Sequence, residues 1–403
     1  MNKSFWRQPK GLWLRITVLQ FFYWAFMAVG CYQNVYLQNS GMSATAIGTL
    51  NSVVSLITII ATPIWGIVSD KARSIRKTFL LTLAVASVLY AFLPAIFHLP
   101  FMTTPLFFVY CAVLYVFRNP FNSMFDNWSI RYCDQSRIAY GSCRWAGSLS
   151  WCLTGLAIAG LVASKGTAWT FPVSSIGMIL VFVLAMFTDD AVPPQAASSA
   201  KKESFNPLIL FKNYYYTTFM VFAFILYLVG NSYMVYVSFL LEEAGLSATL
   251  YGVLSAVAAM LEIPMLLSSG WLRRKMPLSW LALGGALMYC LCCLMLGTVA
   301  RTLPVMLIAI MISGVGSGLV TAGAANYVFT LVPDHLKATG QSVYVAITAV
   351  SGIVCGLMAG ILIDTFTAVV FYRILAVISA VSAILLIVTL AYGKARNIPS
   401  QTE

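Results

Sequence analysis

The chain has 403 residues, of which 60% are hydrophobic, 14% aromatic and only 9% charged, with a mean hydropathy of +0.87. A soluble domain carries roughly 25% charged residues, so this composition excludes a soluble enzyme, a disordered chain and a coiled coil. The net charge of +12 is no nucleic-acid stripe, because Lys and Arg fall in short clusters between apolar runs.

Those runs are about 20 residues long, enough to cross ~30 Å of hydrocarbon. Twelve spans are predicted, over residues 15–38, 45–69, 77–98, 103–130, 139–163, 169–188, 214–241, 248–270, 278–299, 303–330, 337–363 and 368–392. Lys3, Arg7, Lys10 and Arg15 lead into the first. It has no small-residue cleavage site and exceeds a signal core in length, so a retained helix is expected. The predicted fold is an all-α membrane protein of twelve helices in two six-helix halves, residues 1–188 and 214–403. Between them lies a polar linker, 189–213, holding Asp189, Asp190, Pro193, Pro194, Lys201, Lys202 and Glu203. Nineteen Lys and Arg residues fall on one side of the spans; only Lys165, Arg301 and Arg373 fall on the other. The first side is then cytoplasmic and carries both termini and the linker. Multi-pass insertion in the cell membrane, plasma or inner, is the expected location. Cysteines such as Cys31, Cys111, Cys152 and Cys292 sit inside apolar runs as small fillers, with no spacing for a metal or a disulfide framework.

The halves repeat. Gly41-Met-Ser-Ala-Thr-Ala-Ile-Gly48-Thr-Leu50 matches Gly245-Leu-Ser-Ala-Thr-Leu-Tyr-Gly252-Val-Leu254 at six of ten positions, and Tyr23/Tyr227, Tyr32/Tyr236, Gly66/Gly270 and Lys71/Lys275 keep the same offset of 204. Parallel six-span repeats are a signature of transporters whose halves rock about a central site.

Between spans two and three stands Gly66-Ile-Val-Ser69-Asp70-Lys71-Ala-Arg73-Ser-Ile-Arg76-Lys77. Gly66 permits close helix approach, Asp70 can pair with a cation or cap a helix end, and the cations hold the loop at the anionic leaflet. With twelve spans and a central linker, this segment resembles the cytoplasmic loop of the major facilitator superfamily. The resemblance implies a conformational gating loop built from Gly66, Asp70, Lys71, Arg73, Arg76 and Lys77. In the second half Arg274 stands where the first has Asp70, so the first loop is expected to carry more of the gating.

Ionisable residues inside a bilayer usually face a partner or a wet cavity. Arg118, Asn122 and Asp126 recur at helical spacing on one face of span four. Asp126 lies five residues inside Arg131, and Arg144 on span five lies seven inside Arg137. These are depths of about 7.5 and 10 Å, so an Asp126–Arg144 pair is expected, either pinning two helices or clamping substrate hydroxyls. Ser148, Trp151 and Gly155 follow Arg144 along its face, and Trp151 suits the flat side of a sugar or nucleobase. Glu262 in span eight sits among Met260, Leu261, Ile263 and Pro264. Desolvation disfavours its charged form, which makes it the expected proton-coupling group, with Asp126 second. Weaker cavity candidates are Tyr23, Asn34, Tyr227, Asn231, Asn326, Gln341 and Tyr344. Gly314-Val-Gly316-Ser-Gly318 in span ten is a helix-packing stripe rather than a nucleotide loop. No deep histidine, Walker motif, metal spacing or nucleophile elbow appears; His98 and His335 lie at span ends.

Arg144-x-x-Gly147-Ser148-x-x-Trp151, the acid at 126 and the aromatic first span (Phe21-Phe22-Tyr23-Trp24) are similar to lactose permease and its relatives, the nucleoside:proton symporters and phenylpropionate permeases. That resemblance implies that Asp126, Arg144 and Trp151 contact the solute. Two departures stand out: the acid is an aspartate where the family has a glutamate, and spans seven and ten lack the family's ionisable coupling residues. Galactoside specificity therefore does not carry over.

These readings converge on a secondary active transporter, not an enzyme and without a cofactor. It would import a small polar solute, a sugar, oligosaccharide or nucleoside, with protons by alternating access, acting as a monomer in the bilayer. The expected solute contacts are Asp126, Arg144, Trp151, Asn122, Arg118, Tyr23, Asn231 and Tyr344. An unpaired Arg118 would instead favour an aromatic or other organic anion; export of amphipathic compounds is a further alternative. A non-transporting sensor would need an appended domain, and the linker and tail are too short to fold as one.

Overall fold

The computed structural model describes residues 9–138, 140–190, 207–333 and 336–398. Lys3, Arg7, Pro193, Pro194, Lys201, Lys202, Glu203 and His335 lie outside the described residues. Every regular element described is helical. The helices are α1 (Pro9–Gly30), α2 (Gln33–Asn39), α3 (Ala44–Lys71), α4 (Ile75–Phe97), α5 (Thr104–Arg118), α6 (Phe121–Gln135), α7 (Gly141–Lys165) and α8 (Thr170–Met186). They continue as α9 (Tyr214–Gly230), α10 (Val237–Glu243), α11 (Tyr251–Lys275), α12 (Leu278–Thr298), α13 (Leu303–Leu331), α14 (Lys337–Thr365) and α15 (Ala368–Ala395). Among the described residues ten helical segments are long and apolar enough to cross a membrane. Helices satisfy their own backbone groups, which is what hydrocarbon demands.

Three predicted spans are broken rather than continuous. The first bends at Cys31–Tyr32, between α1 and α2. The fourth breaks at Asn119–Pro120, between α5 and α6, because proline has no N–H to continue the ladder. The seventh is non-helical over Asn231–Tyr236. There the Ser232 hydroxyl donates back to Leu228 O at 2.5 Å and the Asn231 amide donates across to Thr348 O at 3.1 Å, side-chain bonds that compete with the helix.

The chain divides into two compact units, Met1–Ser40 with Leu56–Lys201, and Gly41–Ser55 with Lys202–Glu403. In the first, α1 packs on α7 and α8, and α4 on α8 and α5. Its core is a ring cluster: Tyr23 stacks on Phe125 at 3.8 Å, with Phe26, Phe79, Phe121 and Trp128 buried around it. In the second, α12 packs on α13 and α15, and α13 on α11. The Asp364 carboxylate caps α3, accepting from the Ala44 and Thr45 N–H groups at 3.0 and 2.7 Å. The sequence repeat has a structural counterpart: Gly41 and Gly245 both adopt positive φ, +84° and +73°, which L side chains disfavour.

The stripe on α13 packs as its composition predicts. A Cβ at Gly314 would lie 2.4 Å from Ala258 O on α11, and one at Gly316 would lie 2.9 Å from Met288 Cβ on α12. Gly314→Val therefore forces backbones apart, with an expected loss of about 1–3 kcal/mol, measured as a lowered thermal unfolding midpoint in detergent. An unchanged midpoint would show that this contact does not form.

Candidate functional site

In the first unit α1, α6 and α7 bring the predicted polar residues together around Tyr23. Its buried hydroxyl donates to Asn122 Oδ1 at 2.5 Å, and Asp126, Arg118 and Arg144 all lie within electrostatic reach of it. Asn122 is exposed, Asp126 and Arg144 half-buried, and Arg118 buried.

The expected Asp126–Arg144 ion pair does not form. Asp126 Oδ1 accepts from the Tyr140 hydroxyl at 3.0 Å, and the Arg144 guanidinium lies 4.1 Å over the Trp24 ring. The reason is local: Tyr140 sits one turn ahead of Arg144 and takes the carboxylate first, while Trp24 offers a flat π-face to a planar cation. Trp24 also meets Trp151, ring centroids 6.0 Å apart at 56°, and donates its indole N–H to Gln20 Oε1 at 3.1 Å. Asp126 and Arg144 thus stay neighbours with hydrogen-bonding capacity to offer a third group, beside a two-indole wall. Arg118 ends α5, and the break at Asn119–Pro120 lies between it and Asn122 and Asp126 on α6. Sequence reasoning missed Trp24, Gln20 and Tyr140. Trp24 adjoins Tyr23 and Gln20 precedes it by one turn, so helical spacing was the available signal.

The 66–77 segment is a helix end followed by a helix start. A Cβ at Gly66 would meet nothing within 4 Å. Asp70 is exposed, and its backbone carbonyl, not its carboxylate, accepts from the Arg73 N–H at 3.1 Å. Arg73 takes positive φ, +50°, and closes α3. Asp134-x-x-Arg137 closes α6 in the same way, with φ +56°. The carboxylate that caps α4 is Asp190: it bonds the Ser74 hydroxyl and accepts from Arg76 N–H at 3.3 Å. Arg76 Nη1 donates to Thr188 O at 2.8 Å, Lys77 N–H to Ser74 Oγ at 3.0 Å, and Lys71 ends α3. Arg15 pairs with Asp189 at 3.4 Å. Replacing Asp190 with Ala removes a capping acceptor, an expected cost of about 0.5–2 kcal/mol; denaturation of purified protein measures it, and no loss would refute the cap.

In the second unit Tyr227 and Tyr344 share a hydrogen bond at 3.0 Å, and Asn231 donates to Ser351 Oγ at 3.2 Å as well as to Thr348 O. Glu262 is half-buried on α11, two residues before Pro264. Its carboxylate lies within electrostatic reach of the Tyr233 and Tyr289 phenols, against which Ser313 and Ser317 of α13 are set. Those four hydroxyl groups were not anticipated; Tyr233 lies in the non-helical stretch of the seventh span. Asn326 is held by Arg273 Nη1 at 3.0 Å, and Gln341 lines a cleft of about 510 Å³ with Phe329, Ser342 and Val345. Among the described residues no cluster could hold a metal ion.

The MFS_1 like family model matches residues 13–374. An uncharacterized transporter of Bacillus subtilis (strain 168), YwbF, is 23% identical over 337 residues, covering 81% of each chain. A maltose permease of Geobacillus stearothermophilus is 25% identical over 397 residues, 94% of this chain and 95% of that one. Among solved structures, nucleoside transporter NupG superposes with a TM-score of 0.78 at 12% identity, covering 94% of this chain and 98% of its own. A POT family transporter in complex with 5-aminolevulinic acid gives 0.68 at 14% identity, covering 96% of each. At these identities the structural likeness is one of fold.

Proposed function

Because the chain belongs to the MFS_1 like family and is a multi-pass membrane transporter rather than an enzyme, we propose that it is a proton-coupled symporter of a small polar solute, a sugar or nucleoside. In this reading the solute meets Asp126, Arg144, Trp151 and Asn122, with Arg118, Tyr23, Asn231 and Tyr344 as further contacts. Trp24 holds the Arg144 plane for it. The observation that carries the reading is the set of polar side chains gathered at one buried tyrosine: Asn122 bonded to Tyr23, with Asp126 and Arg144 in reach. Charged groups in hydrocarbon are costly, and here neither satisfies the other.

Glu262 is the coupling group, with Asp126 as a second protonatable carboxylate. Protonation removes a charge from a poorly solvated site and changes the relative stability of outward- and inward-open states. Solute moves that equilibrium only by binding the two states differently. The two interrupted segments, Thr104–Gln135 and Tyr214–Glu243, complete the ten long apolar segments to twelve spans. Two six-helix halves, both termini and the linker cytoplasmic, follow from the charge distribution. The gating loop is 66–77, with Asp190 as its carboxylate partner. The protein acts as a monomer in the cell membrane.

The test is proton flux. Liposomes carrying the purified protein and an internal pH dye are challenged with sugars, nucleosides and aromatic acids in turn. Substrate-driven lumenal acidification with one class supports the reading; solute accumulation that ignores the proton gradient defeats it.

A further inference from the structure

Two helix breaks of the first unit meet at a buried cation. Arg118 is the last residue of α5 and is 9% exposed. Its Nη2 fills the space a Cβ at Gly30 would need, 2.1 Å away, at the end of α1. The guanidinium lies 4.1 Å over the Tyr90 ring. Nη1 reaches the Tyr115 hydroxyl at 3.4 Å, which itself donates to Gln33 Oε1 at 2.8 Å, and Nε is buried without an acceptor. Among the described residues of this unit no carboxylate lies at ion-pair distance from it. The C-terminal ends of α1 and α5 offer partial negative charge, about half a unit each at most. Three residues on, α6 begins with its unbonded N–H groups, which favour an anion.

Around Tyr23 there are thus two guanidinium groups and one carboxylate. The balance of fixed charge is positive in a medium where an unneutralised cation is expensive. A ligand carboxylate would supply the missing charge and the missing acceptor at once, since guanidinium groups bind carboxylates through paired N–H donors.

We propose that Arg118, with Tyr115 and Gln33, forms a carboxylate subsite, so that the transported solute is a hydroxylated monocarboxylate of the sugar-acid class. This rests on the reading that Asp126 and Arg144 hold the solute hydroxyls. Asp126, Asn122 and Arg144 then engage the polyol, and Arg118 engages the acid group. If Arg118 served only to pin the two breaks, ligand charge would be immaterial.

The experiment compares acids with their neutral amides. Thermal unfolding of the purified protein in detergent is followed with gluconate, glucuronate and galacturonate, each beside its amide at matched ionic strength. At least one acid is expected to stabilise with an apparent affinity about tenfold or more above its amide, the scale of one hydrogen-bonded charge. Arg118→Gln should bring that pair within about twofold, and Arg118→Lys should keep part of the preference. Should Arg118→Gln not fold, Gln33→Leu and Tyr115→Phe serve instead, each lowering the preference about threefold or more. Equal effects of acid and amide, no effect of any acid, or a preference that survives these substitutions overturns the proposal. Proton flux with neutral sugars or nucleosides would then leave the symport reading standing, whereas accumulation of either class without proton flux would sink that reading independently.

Discussion

Glu262→Gln is expected to abolish uphill accumulation of solute while leaving solute exchange within about threefold of the unmodified protein. Glutamine keeps the shape and polarity of a protonated glutamate but takes up no proton. The carboxylate sits on a membrane helix within electrostatic reach of the Tyr233 and Tyr289 phenols. A transporter fixed in the protonated form still exchanges solute across the membrane, because exchange needs no net proton movement. Accumulation against a gradient does need it, so the steady-state ratio should fall to unity. Uptake into energised vesicles and counterflow into de-energised ones separate the two, and intact accumulation would remove Glu262 from the mechanism.

Asp126→Asn and Arg144→Gln should each weaken solute binding roughly 10- to 150-fold, the effect of deleting a hydrogen bond of about 1.5–3 kcal/mol to a charged group. The double variant distinguishes this from a structural salt bridge. If the two side chains merely neutralised each other, removing both charges would restore much of what either single change loses, since an unpaired buried charge causes most of the damage. Here Asp126 is held by Tyr140 and Arg144 by Trp24, so no recovery is expected. Equilibrium binding in detergent, with counterflow as a second readout, makes the comparison; recovery in the double variant would assign the pair to architecture.

Much of the fold was legible because the membrane imposes it. Apolar runs of the right length, separated by cationic clusters, leave a helical chain few alternatives. The Gly41 and Gly245 turns were visible as a repeat, and both glycines take positive φ. The α13 glycines read as a packing stripe and pack as one. Three features were not legible at that level. Hydropathy windows carry a span straight across Asn119–Pro120 and Asn231–Tyr236, because a break of a few residues hardly changes the mean. Asp70 read as a partner for a cation or a helix cap, yet the carboxylate at the start of α4 is that of Asp190, more than 100 residues along the chain.

The candidate site divides the same way. Composition alone required that Arg118, Asp126, Arg144 and Glu262, too costly to face lipid, turn toward something polar. What each one meets was decided by tertiary structure. Spacing along a helix gives depth and face, but a hydrogen-bond partner depends on which neighbour arrives first in three dimensions: Tyr140 for Asp126, Trp24 for Arg144, and two phenols for Arg118.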